Sequence, residues 1–204
     1  MKKWLLAGLM LFSAWANAAI EQGKDYTVLA NPQPVATPGK VEVIEFFSYH
    51  CIHCFHLDPA LTAWSKKLPA NVSFRREQIV WNKQMEGLAR LFATFNATRT
   101  LDRLHAPALS AMVEKKINLA DETEMSKWLA TQPGIDTKAF MATYKSFGIN
   151  AQVARASKIT RDYGIEGTPT IVVAGKYATM AAEPARLLQV VDELIVKAQR
   201  EAKK

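Results

Sequence analysis

Cysteine occurs only twice in this chain of 204 residues. That excludes a small disulfide-stapled scaffold and a protein built on several zinc sites, since one pair can assemble neither. No apolar run reaches the about 20 residues that a permanent transmembrane helix needs. Basic residues outnumber acidic ones, 26 to 19, but they are scattered, as in Arg75-Arg76, Lys115-Lys116 and the C-terminal tail. No basic run is interleaved with aromatics, so no nucleic-acid partner is expected. Internal repeats and low-complexity stretches are also missing, which sets aside solenoids and disordered linkers. What is left is an ordinary globular composition, 49% hydrophobic and 22% charged, long enough to bury a sizeable core.

The N-terminus changes the setting. Met1-Lys2-Lys3 is a basic start, residues 4–15 are apolar apart from Gly8 and Ser13, and Ala16-Asn17-Ala18 supplies small residues for cleavage. This is the pattern of a secretory signal peptide over residues 1–18. A membrane-tethered N-terminus is the alternative, and the run is short for it. Cleavage leaves 204 − 18 = 186 residues and removes two lysines, for a mature charge of 24 − 19 = +5. Export puts the chain where disulfides persist. Yet a staple between Cys51 and Cys54 closes a loop of four residues, a gain of about 2 kcal/mol at best. A domain with a full core gains little from that. The pair is better suited to opening and closing.

Residues 41–47 (VEVIEFF) predict a strand covered on both faces, preceded by a short strand at residues 26–29. A helix is expected from Cys51 to about Lys67, and a second strand over residues 72–80. Residues 83–149 change character. Met85, Leu88, Leu91, Phe92 and Phe95 share one helical face, and Asp121 with Glu124 resembles a capping box. Asp136 is expected to cap a further helix with Phe140, Tyr144 and Phe147 inward. Asn150 opens the next helix, which runs to about Tyr163. A strand at residues 170–173, a tight turn at Gly175-Lys176, a strand from Tyr177 and a final helix from Pro184 complete the chain. The expected fold class is α/β with an inserted all-helical domain: residues 19–82 and 150–204 around residues 83–149.

The strongest chemical signal is Cys51-Ile52-His53-Cys54 between a strand and a helix. A cysteine in the first turn of a helix faces free backbone N–H groups and the positive dipole end, and both favour thiolate over thiol. Cys54 lies on the same face, close enough to form a disulfide, and burial against the sheet keeps it from large substrates. Cys51 is therefore the attacking sulfur and Cys54 the resolving one. His53 is placed to hydrogen-bond to the thiolate or to oppose it as a cation. His50 lines the approach to Cys51, His56 is exposed on the helix, and His105 reads as surface filler. A fall in the thiol pKa from about 8.5 to about 4 stabilises the reduced form at pH 7 by about 4 kcal/mol, or about 90 mV. That gain is complete above the ordinary pKa and vanishes as pH falls through the lowered one. Stabilising the reduced form makes the disulfide an oxidant.

Glu45-Phe46-Phe47-Ser48 leading into Cys-X-His-Cys, a helical insertion, then Gly167-Thr168-Pro169 before a hairpin, resembles the DsbA family of bacterial periplasmic thiol:disulfide interchange proteins. The resemblance covers essentially the whole mature chain. It implies a thioredoxin fold with the helical insertion, and a soluble periplasmic dithiol oxidase that introduces disulfides into reduced, unfolded exported proteins. It implies that Pro169 is cis and faces the redox pair, and that Thr168 offers backbone hydrogen bonds to an extended substrate peptide. Glu45 matches the family's buried acid, which tunes the site and relays protons to or from Cys54. Relatives often carry a lysine near that acid; Arg75 or Arg76 stands there in this chain. Ile52 replaces the proline of the best-known members. Reoxidation is implied to fall to a DsbB-type, quinone-linked membrane partner, with no metal or organic cofactor. Nothing in the sequence demands more than a monomer.

Two other readings compete with this one. An isomerase or reductase of the same superfamily is the nearest, though isomerases usually carry a separate dimerisation domain for which no residues remain. A periplasmic metal-binding protein would use His50, Cys51, His53, Cys54 and His56. Ligands so close in sequence converge poorly, and haem attachment needs histidine where Phe55 stands.

Overall fold

The structure is a computed structural model that describes residues 19–203. The signal-peptide reading falls on residues 1–18 and lies outside the described residues. The chain runs β1 (Tyr26–Val28), β2 (Val41–Phe47), α1 (Ile52–Ser65), β3 (Val72–Gln78), then α2 (Glu86–Ala97), α3 (Leu101–Val113), α4 (Glu122–Ala130), α5 (Thr137–Tyr144) and α6 (Phe147–Asp162). It closes with β4 (Thr170–Val173), β5 (Tyr177–Thr179) and α7 (Pro184–Glu201). The sheet order is β1-β5-β4-β2-β3, with β2 parallel to β3 and antiparallel to β4.

The central position of β2 follows from its sequence. Every residue from Glu42 to Phe47 is buried, as a near-continuous apolar run requires. Val43 faces α1 and α7, packing with Leu57, Leu61, Val191 and Leu194. Ile44 and Phe46 face the other way, against Tyr163, Ile165 and Val172. The strand's end belongs to a third cluster, in which Phe47, Tyr49 and Cys54 join the helical core of Leu91, Phe95, Leu109 and Trp128. The C-terminal end of β2 thus lies where the sheet meets the helices of α2–α5.

Several local expectations need correction. The strand expected to reach Val80 ends at Gln78. Phe147, expected on the inner side of α5, is 86% exposed and opens α6, which starts three residues before Asn150. Ser146, extended at ψ 153°, breaks the helical path and sends Phe147 outward. Asp121 does cap α4 through the N–H groups of Thr123 and Glu124. Glu124 does not reach back to Asp121; its carboxylate takes the N–H of Asn118 at 2.6 Å. Asp136 caps α5, accepting from the N–H of Ala139 at 2.9 Å.

The β4–β5 turn also sits one residue earlier than expected, with φ positive at Ala174 (54°) and Gly175 (63°). The Gly175 carbonyl accepts from the N–H of Gln33 at 2.8 Å, and a Cβ at Gly175 would run into the Gln33 carbonyl. Gly175→Ala therefore combines a left-handed penalty with displacement of the 31–35 segment. A loss of at least about 2 kcal/mol is expected in chemical denaturation; an unchanged midpoint would show that the segment yields freely.

Candidate active site

Cys51 is the N-cap of α1, in extended conformation (φ −86°, ψ 113°), so its side chain points over the helix's unpaired amides. Its sulfur accepts from the N–H of Cys54 at 3.2 Å. From the far side of the fold, the Thr168 carbonyl lies 3.3 Å from the same sulfur and accepts its S–H when the thiol is protonated. Both cysteines are free thiols; Cys51 is partly exposed and Cys54 buried.

The two sulfurs differ sharply in acidity. Cys51 is lowered from 9.0 to about 5, chiefly by the hydrogen bond from the Cys54 thiol, against the opposing effect of burial. The Thr168 side chain and the backbone N–H groups of Cys54 and His53 lower it further. Cys54 is pushed well up, because its proton is engaged by Cys51 and because it is buried. The site therefore holds a thiolate at the exposed sulfur and a thiol at the hidden one. A lowered thiol favours the reduced form fully above 9.0, and that contribution disappears as pH falls through about 5. At pH 7 it amounts to about 3 kcal/mol, or about 60 mV, before solvent screening of a half-exposed sulfur reduces it. Titrating thiolate absorbance in the reduced protein is expected to give a midpoint near 5; an ordinary value near 9 would remove the basis for a reactive Cys51.

Beneath the cysteines lies a buried charged network. The parallel register sets Glu45 opposite Arg76 on one face of the sheet, and Arg76 Nε donates to Glu45 at 2.9 Å. Glu45 is 1% exposed, and burial raises its pKa to about 7 despite the guanidinium. Arg76 also donates to Asp58 and to the Thr62 hydroxyl, each at 2.9 Å. Of the two neighbouring arginines, Arg76 pairs with Glu45, while Arg75 points to the opposite face and binds Glu42 and Glu77.

Two of the four histidines, His53 and His105, fall out differently from the sequence reading. His53 reaches Cys51 through its backbone N–H, and its exposed imidazole makes no hydrogen bond to the sulfur. His50 is exposed on the turn into α1, its N–H on the Ser48 hydroxyl at 3.3 Å. His56 is exposed with its ring against Phe55. His105, read as surface filler, is 5% exposed and bridges the network. Tyr49 Oη lies 3.1 Å from its Nδ1, and its Nε2 lies 3.4 Å from Asp58. Nε2–H toward the carboxylate and Nδ1 accepting from the phenol satisfies all three groups. Burial lowers the pKa of His105, which keeps it neutral. Burial works to raise Asp58, but His105 and Arg76 outweigh it and hold the carboxyl low.

Asp58, His105 and Tyr49 are the residues sequence reasoning missed. Asp58 had a signal: seven positions after Cys51, it returns to the same helical face. His105 had none, since only the packing of α3 on α1 brings it there.

The Thr168-Pro169 peptide bond is cis, and the sulfur of Cys51 contacts Thr168 from across the fold. Among the described residues, no three His, Cys, Asp or Glu side chains are grouped to hold a metal ion, and no helix is long and apolar enough to cross a membrane.

Residues 69–194 match the family described as "DSBA-like thioredoxin domain". Over 200 residues the chain is 36% identical to the thiol:disulfide interchange protein DsbA of Pseudomonas syringae pv. tomato, covering 97% of this chain and 93% of that one. It is 39% identical over 176 residues to the protein of that name from Burkholderia cepacia, covering 86% of this chain and 81% of that one. Among solved structures, a DsbA oxidoreductase from N. meningitidis superposes with a TM-score of 0.85 at 38% identity, over 92% of this chain and 98% of that one. Pseudomonas aeruginosa DsbA does so with a TM-score of 0.84 at 37% identity, over 89% and 96%. The α/β arrangement is thus the thioredoxin fold with a helical insertion. On fold, register and sequence together, the chain belongs to the DSBA-like thioredoxin domain family.

Proposed function

We propose that Cys51 and Cys54 are the exchanging pair of a dithiol oxidase that introduces disulfides into reduced, unfolded proteins. In the oxidised enzyme, a substrate thiolate attacks the Cys51 sulfur and the Cys51–Cys54 bond breaks. Cys54 leaves with the electron pair and takes a proton, which gives a mixed disulfide between substrate and Cys51. A second substrate thiolate then attacks the substrate sulfur of that bond, and Cys51 leaves as a thiolate. The substrate has lost two electrons and the enzyme has gained them. The observation that carries this reading is the asymmetry of the pair, an exposed sulfur lowered to about 5 beside a buried one pushed up. A low pKa makes Cys51 the better leaving group, so the mixed disulfide resolves toward oxidised substrate.

The other residues take supporting roles. Glu45, raised to about 7, is the proton store nearest in chemistry to Cys54. Thr168 and Pro169 offer backbone for an extended substrate, His50 borders the approach, and His53 contributes through its amide. Residues 19–82 and 150–204 form the thioredoxin-like unit, and residues 83–149 the inserted helical unit. The start of the chain and the family support export to the periplasm and reoxidation by a DsbB-type quinone-linked membrane partner, with the enzyme working as a single chain.

Redox equilibration with glutathione tests the direction of exchange. An oxidising potential, with one disulfide delivered per molecule to a reduced, unfolded test protein, is expected. A strongly reducing value would replace the oxidase with a reductase.

A further inference from the structure

Trp81 is half exposed, at 48%, just beyond the end of β3. Its indole N–H nevertheless donates to the carbonyl of buried Ile165 at 2.6 Å. Ile165 opens the segment 165–169 that carries Thr168 and Pro169. The backbone on either side of the indole is fixed. The N–H of Val80 donates to Thr160 Oγ1 at 3.1 Å, in the interior. The Asn82 side chain accepts from the N–H of Gln84 at 3.1 Å. Trp81 is thus held between two anchors, and Val80 and Trp81 together tie β3 to the end of α6 and to the loop that follows.

Within that loop, three carbonyls are engaged by side chains. Ile165 is held by Trp81, Gly167 by the Thr170 hydroxyl at 2.8 Å, and Thr168 by Cys51 at 3.3 Å. The first two fix the loop from its two ends, and the third is the contact with the reactive sulfur. Packing alone does not require an indole in a half-exposed position; a donor aimed at a buried carbonyl does. We infer that Trp81 is a positioning residue of the active site, which acts through the loop to place Thr168 against Cys51. The inference rests on the reading of Cys51 as the exchanging sulfur.

Trp81→Phe keeps an aromatic ring and deletes the donor. With Thr168 less well placed, the thiolate of Cys51 loses the hydrogen bond from the Thr168 side chain that helps to lower its pKa. Its titration midpoint is expected to rise by about half a unit to one unit. The glutathione equilibrium at pH 7 then shifts about three- to tenfold toward the disulfide. Because the effect passes through Thr168, Trp81→Phe is expected to change nothing further in a Thr168→Val background. Thermal denaturation is run alongside, and Trp81→Leu, which also lacks a donor, serves in place of a Phe variant that does not fold. A midpoint unmoved by loss of the indole overturns the inference, as does an effect of equal size in the Thr168→Val background. If wild-type Cys51 itself titrates near 9, the functional reading has failed. A low wild-type value with an unmoved variant sinks only the role of Trp81.

Discussion

Cys51→Ala is expected to lower the rate of substrate oxidation to the uncatalysed background, a loss of at least about a thousandfold. The one cysteine left, Cys54, is 1% exposed. Its pKa is raised by the hydrogen bond it makes in the intact pair and by burial. Deleting Cys51 removes that hydrogen bond but leaves the burial, so Cys54 remains a protonated thiol out of reach of a protein substrate. Cys54→Ala has a different outcome. It leaves an exposed sulfur with the helix amides and Thr168 still in place, but no partner to release it. With oxidised glutathione, the Cys51 thiolate attacks the disulfide and releases one reduced glutathione, so a mixed disulfide at Cys51 is expected to accumulate, visible as a mass increase that reductant reverses. Oxidase activity that survives Cys51→Ala, or a trapped adduct on Cys54 in place of Cys51, would refute the assignment of the two sulfurs.

Arg76→Leu is expected to destabilise the protein by about 3–5 kcal/mol at pH 8, because it strips the partner from two buried carboxylates at once. Glu45 and Asp58 both bond to that guanidinium, and they are 1% and 5% exposed. For a chain of this size the melting temperature falls by about 12 °C. The pH dependence identifies the cause. A carboxyl whose folded pKa is raised binds more protons when folded than when unfolded, so stability falls as pH rises from 4.5 to about 7, the window set by Glu45. Asp58 acts in the opposite sense, since its lowered pKa gives stability above the ordinary carboxyl value that is lost as pH falls. Without Arg76 both carboxyls move upward, so the deficit of the variant shrinks toward pH 4. A deficit that is small or independent of pH would show that the arginine acts by packing over Phe74 and not by charge.

The strands and the redox pair were legible because their signals are local. VEVIEFF carries its double burial in its composition, and the Cys51-Ile52-His53-Cys54 spacing sets one helical face. The helical stripes of α2 and α4 were readable for the same reason. What escaped depends on tertiary placement. Phe147 has the spacing of an inward residue on α5 and is turned outward by one extended residue, Ser146. His105 shares no periodic pattern with α1 and reaches Asp58 only when α3 docks. His53 shows the converse: sequence places it beside the sulfur, but the group that arrives is its amide.

The contact between Cys51 and Thr168 joins residues 117 apart. A chain is made from its N-terminus, so Cys51 exists well before the residue that completes its surroundings. The first turn of α1 supplies its amides as soon as the helix forms. The hydrogen bond from the Thr168 side chain, which lowers the pKa of the sulfur further, waits for the last third of the chain and for closure of a long loop. The sulfur therefore acquires its full acidity late, as the fold closes. An unfinished chain carries a more ordinary thiol, less apt to exchange with its neighbours before the molecule is whole.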